Sequence, residues 1–279
     1  MAAQRTVLAL FAKPMEMEQM VAGTLTRLAA KGFRVVSMTM TPGDCTSRDQ
    51  PTDVISEIRQ KESTASVSLI QGQFVCVNFR DGLICFDNET RKKVCDFVRR
   101  VAPYIVFTHP PGDPVPDHDT TSTLARDACI HANIRNYRSI TERAVEGPTP
   151  YLYYVDTLEG LDLYGNPVPV DSYVDISQVF AVKQKMFACH ESQQGWEDAR
   201  WQVEDPLADM IRWSNARGAE VGVKQAEAFR QHRAVPFPRD NILDRLLGTL
   251  HAEAPPADAA PEGANPAKPG SLDDADAFT

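Results

Sequence analysis

The patterned part of the chain opens on a continuous apolar run, TVLALF at Thr6 to Phe11. A run without polar alternation predicts a strand covered on both faces, as in a parallel sheet. Beyond it, Met17, Met20, Val21, Leu25 and Leu28 recur at three- and four-residue spacing. That spacing predicts a helix face, with Gly32 as its stop.

Strand and helix patterns then alternate: a strand over Arg34 to Met40, a helix from Asp53 to Ile70, a strand at Phe74 to Phe79 and a helix from Asn88 to Val101. YIVFT (Tyr104 to Thr108) is again a buried-type strand, followed by a Pro- and Asp-rich loop and a helix from Asp119 to Ala132. Such alternation predicts an α/β fold, doubly wound and Rossmann-like, around a mostly parallel sheet flanked by helices. After Pro150 the pattern predicts strands at Tyr151 to Val155 and Tyr173 to Ile176, a turn at LYGNPVP, and mostly helix to Leu250. No flexible linker divides residues 1–250, which are expected to form a single domain. Residues 251–279 are rich in Ala, Pro and Asp without apolar periodicity, so a disordered tail is expected.

Composition narrows the function classes. A chain of 279 residues with 43% hydrophobic content can bury a large core. Its net charge of -9 and pI near 5.2 argue against nucleic-acid binding, which needs a concentrated positive face. The 6 cysteines are scattered without C-x-x-C spacing, as suits reduced thiols in a cytosol. With no secretory pattern at the start and no apolar stretch of membrane-spanning length, a cytoplasmic protein is expected, acting on a small polar metabolite rather than a membrane. A homo-oligomer stays open.

Ligands of doubly wound sheets bind beyond the carboxyl ends of the strands. Two loops fall there: AKPMEME after the first strand and THPPGDPVPDHDTT after YIVFT. The second gathers His109, Asp113, Asp117 and His118, and is the best candidate site from spacing alone. The alternative reading makes Asp117 a helix cap and the histidines exposed loop residues.

In these loops the chain resembles the LmbE-like (PIG-L type) zinc-dependent N-deacetylases. Supporting stretches are AGTLTRLAAKG, TMTPGD, EIRQKEST, IVFTHPPGD, PDH, YVDIS, KQKMFACHESQ and GVKQAEAFRQH, whose order spans most of residues 5 to 250. The resemblance implies a hydrolase of linear amides such as N-acetylated amino sugars, with zinc as cofactor. In the family, A-H-P-D-D-x-E after the first strand supplies a zinc-binding His, a general-base Asp and a zinc-binding Asp, and the His of a later D-H motif completes the zinc site.

Carried over position by position, His118 matches the D-H histidine. Lys13 stands at the histidine position, Met15 at the general base and Glu16 at the aspartate ligand, while Val115 replaces a histidine common in relatives. Glu16 and His118 are thus the metal candidates, if a metal is held at all. An ammonium at position 13 repels a divalent cation, and a thioether cannot take a proton from water. The usual zinc centre is therefore expected to be lost or strongly altered.

Lys13 is read instead as an internal cation pairing with Glu16 and Asp117, and Lys13 and Asp117 are the candidate catalytic residues. Met15, Arg59, His109 and Asp113 are the candidate substrate contacts. Arg59 and Glu62 match an R-x-x-E of the family, and an ordinary ion pair explains them equally well. His190, Ser192 and Gln193 are expected to support the pocket from beneath. Two further readings stand beside the amidohydrolase: a metal-free binding protein, and an enzyme using Lys13 as base or Schiff-base nucleophile.

Overall fold

A computed structural model of the chain describes residues 4–47, 49–140, 143–193 and 205–252. The elements are β1 (Thr6–Phe11), α1 (Glu16–Met20), α2 (Ala22–Ala30), β2 (Arg34–Thr39), α3 (Thr52–Ser68), β3 (Gln73–Cys76), α4 (Asn88–Val101) and β4 (Ile105–Thr108). They continue with α5 (Pro116–His131), β5 (Tyr151–Val155), β6 (Ser172–Asp175), α6 (Phe180–Ala188), α7 (Pro206–Ala219), β7 (Ala226–Gln231) and α8 (Ile242–Leu247).

A seven-stranded sheet runs in the order β3-β2-β1-β4-β5-β7-β6. Strands β1 to β5 are parallel, and β7 joins β5 and β6 in antiparallel pairing. Val7, Ala9 and Phe11 of β1 enter one hydrophobic cluster, while Leu8, Leu10 and the following Ala12 enter another on the opposite face. Helices cover both faces, which is why TVLALF carries no polar alternation.

Three expected boundaries change. The helix over Met17 to Leu28 is two helices broken at Val21 (φ -144, ψ 1). The Glu227 carboxylate accepts the backbone N–H groups of Gly23 at 2.9 Å and Thr24 at 2.7 Å, creating a new helix start there. Gly23 is required at this turn, because a Cβ would lie 2.6 Å from Cγ2 of Ile176.

The segment expected to be helical to Leu250 contains β7. Its strand pattern is hidden by Glu227, a charged residue buried in the sheet and neutralised by Lys183, whose Nζ is 2.7 Å from Oε1. Finally, α5 begins at Pro116, not Asp119. Proline suits the first helical position, where its missing N–H costs nothing. His251 contacts the Asp171 carbonyl through Nδ1 at 2.8 Å, and residues 253–279 of the expected tail lie outside the described residues. Among the described residues, no helix is long and apolar enough to cross a membrane.

Candidate functional site

In the order 3-2-1-4, chain connections leave β1 and β4 in opposite directions, which opens a crevice beyond their carboxyl ends. The register pairs Leu10 with Thr108, so Ala12, Lys13 and His109 emerge side by side. The loops after β1 and β4 therefore meet, as their sequences anticipated.

After β1 the chain turns sharply into α1. Met15 takes a left-handed conformation (φ 79, ψ -24), a strained choice for a residue with a Cβ that costs about 1–3 kcal/mol. The turn lets the Glu16 side chain fold back, with Oε2 accepting the Lys13 backbone N–H at 2.7 Å. Met15 itself packs half-buried against the core.

Glu16 is the centre of the cluster. Its Oε1 lies 2.7 Å from Nε2 of His118, and its Oε2 lies 3.1 Å from Nε2 of His109. The two imidazoles stack with centroids 3.9 Å apart and planes 10° from parallel. Behind His118, Asp113 Oδ1 approaches Nδ1 at 3.1 Å and is itself held by the Val115 N–H at 2.9 Å.

The charges follow from this packing. Burial raises the Glu16 carboxyl, but His118 and His109 outweigh it and hold the group well below the usual range. Burial likewise lowers His118, yet the Glu16 and Asp113 carboxylates push it up to about 9. Burial and the neighbouring His118 charge lower His109, which stays neutral.

Glu16, His109 and His118 form a group of ligand atoms all within 4.8 Å of one another. One carboxylate and two imidazoles suit a divalent metal of borderline softness, and a carboxylate behind a ligating histidine is a common support for such an ion.

Lys13 sits at the edge, 26% exposed, with Nζ 4.0 Å from Glu16 Oε1. Asp117 does not cap α5: the N-cap is Val115, and Asp117 Oδ2 accepts the Gly82 N–H at 2.7 Å. His109 is buried and His118 nearly so, neither being an exposed loop residue.

Arg59 is buried, with its guanidinium bonded to the Gly43 carbonyl, Thr46 and Ser192. The Glu62 carboxylate accepts the backbone N–H and the hydroxyl of Ser192, each at 2.7 Å. Together they pin the loop after β2 against the segment following α6. His190 lies fully buried, with Nε2 3.0 Å from Oε1 of Glu18.

The sequence reading missed Asp81. Its backbone N–H is held by Asp44 Oδ1 at 2.9 Å, while its own Oδ2 is buried without a hydrogen-bond partner. Burial raises its carboxyl, the Lys13 ammonium pulls it down, and Asp117 and Glu16 push it up, so all share one electrostatic neighbourhood. The available signal was the Asp-Gly pair at 81–82, a turn dipeptide beyond the third parallel strand.

Residues 8–129 match the PIG-L family, described as GlcNAc-PI de-N-acetylase. The diacetylchitobiose deacetylase of Thermococcus kodakarensis is 24% identical over 215 residues, covering 75% of this chain and 76% of that protein. Among solved structures, the 4-carboxy-2-hydroxymuconate hydratase GalB from Pseudomonas putida aligns with a TM-score of 0.70 at 19% identity, over 85% of this chain and 98% of that one. The N,N'-diacetylchitobiose deacetylase from Pyrococcus horikoshii aligns with a TM-score of 0.68 at 23% identity, over 82% and 84% respectively. At these identities the structural matches establish the fold.

Proposed function

The chain carries a PIG-L (LmbE-like) deacetylase-family domain, and from that premise we propose that it hydrolyses the N-acyl group of a small polar metabolite such as an N-acetylated amino sugar. The supporting observation is the line Glu16–His118–Asp113: a carboxylate and an imidazole at family ligand positions face each other at 2.7 Å, with a second carboxylate behind the ring. A divalent metal on Glu16 and His118 would supply the positive charge that polarises an amide carbonyl and acidifies water.

The chain's own groups supply the rest. Hydrolysis adds water across the C–N bond: its oxygen joins the carbonyl carbon, one proton goes to a base, and the departing nitrogen gains a proton. Met15 cannot be that base, because a thioether binds no proton from water. Asp81 is the candidate instead, because its buried Oδ2 has no hydrogen-bond partner and its carboxylate is coupled electrostatically to Lys13 and Glu16. Lys13 balances the surplus of carboxylates, and its ammonium would offset negative charge developing on the substrate. Asp117 holds Gly82 and hence the turn that carries Asp81.

A second reading, a metal-free protein that binds its ligand without hydrolysis, is favoured by Lys13, whose ammonium stands 4.0 Å from Glu16. The Schiff-base reading has less support, since Lys13 faces carboxylates rather than an apolar pocket.

Acetate release from N-acetylglucosamine and diacetylchitobiose, measured after chelation and again after zinc is restored, tests the proposal. Zinc-dependent release supports the hydrolase. No release from any N-acylated sugar at full zinc occupancy overturns it.

A further inference from the structure

We propose that His109 is a metal ligand of this protein, replacing across the β1–β4 seam the imidazole that position 13 does not provide. The inference deepens the hydrolase reading and rests on it for the choice of metal.

The first ground is placement. His109 leaves β4 directly beside the end of β1, where its ring packs edge-on to Phe11 with centroids 4.9 Å apart. Its Nε2 reaches the same carboxylate as His118, and the parallel rings present both Nε2 atoms to one side. Lys13 has instead turned to the rim of the pocket, where it is 26% exposed.

The second ground is proton accounting. His109 Nε2 accepts the backbone N–H of Ala12 at 3.1 Å, which requires a lone pair on that nitrogen and the proton on Nδ1. The same Nε2 lies 3.1 Å from Glu16 Oε2. Nε2 is thus offered both the Ala12 N–H and the Glu16 carboxylate, and with one lone pair or one proton it satisfies only one of them; a cation between Nε2 and Glu16 would satisfy the carboxylate. The Nδ1–H tautomer carries one lone pair on Nε2, so ligation through Nε2 exchanges the Ala12 N–H for the metal.

Lysine at position 13 is consistent with this design. The centre keeps a carboxylate and two imidazoles, matching a common zinc donor set, and the displaced side chain becomes a charge partner for Asp81.

The test uses the full chain, stripped by chelation and titrated with zinc against a chromogenic chelator. Expected are a single zinc per chain, a loss of about 100-fold or more in affinity for His109→Ala, and no loss of affinity for Lys13→Ala, which removes a neighbouring positive charge. Adding Lys13→His to His109→Ala should recover binding, which separates a lost ligand from a failed fold. Cobalt-loaded wild-type protein should show two paramagnetically shifted, exchangeable imidazole N–H resonances, from His109 and His118. A single such resonance, unchanged zinc affinity in His109→Ala, or no zinc binding by the wild type overturns the inference. Amide hydrolysis is scored separately. Zinc bound through His109 without deacetylation sinks the hydrolase reading alone, and deacetylation with zinc unaffected by His109→Ala sinks this inference alone.

Discussion

The rings of His109 and His118 lie face to face, 3.9 Å between centroids, and both direct Nε2 at the Glu16 carboxylate. The histidines come from opposite ends of one loop, His109 at the close of β4 and His118 in the first turn of α5. Stacking holds the pair parallel, and Asp113 sets the rotation of the second ring. Stacking and the hydrogen bonds to Glu16 and Asp113 thus restrict both rings, which limits the reorganisation that binding requires.

Asp113 should act through His118. Asp113→Asn keeps the shape of the side chain but weakens the hold on Nδ1, and zinc affinity is expected to fall about 10- to 100-fold. Competition with a chelator measures it; an unchanged affinity would show that His118 needs no such support.

Asp81 separates proton transfer from metal binding. Asp81→Asn should lower kcat by about 100- to 10,000-fold, the usual range for loss of a general base, while leaving zinc content as in the wild type. Retained kcat would pass the role to Asp117, and Asp117→Asn would then be the variant to assay.

Glu227 and Lys183 should dominate the stability of the sheet's antiparallel side. Both are buried, and Glu227→Gln leaves the Lys183 ammonium uncompensated while weakening the hold on Gly23 and Thr24. A loss of about 3–5 kcal/mol is expected in denaturant unfolding. Adding Lys183→Met should restore part of it, and a single variant that loses under 1 kcal/mol (roughly the exposed-pair value) would refute the pairing's importance.

The buried pair His190–Glu18 should make stability depend on pH. Burial lowers His190, but Glu18 outweighs this and raises it above the ordinary value. A histidine that holds its proton more tightly when folded contributes fully below its unfolded value of about 6.5, and the contribution fades as pH rises through the folded value. The stability gap between wild type and His190→Gln should therefore be largest below about pH 6.5, and should shrink as the solution is made alkaline. A gap that grows with pH would contradict the charged pair.

The sequence by itself determined the parallel half of the molecule. TVLALF and YIVFT are apolar without interruption because helices cover both faces of their strands, and their shortness and β-branched content favour strand over buried helix. It also located the crevice, since strand ends and motif order put Glu16 and His118 in facing loops.

Tertiary structure decided the rest. The new helix start after Val21 and the burial of Glu227 meet in one contact, since the carboxylate's partners Gly23 and Thr24 lie more than 200 residues away, and β7 exists through its pairing with β5 and β6. The convergence of His109 with Glu16 and the freedom of the Asp81 oxygen arise likewise from strands that become neighbours only on folding. Periodicity reports which face of an element is covered, whereas a buried polar group is explained only by the partner that satisfies it.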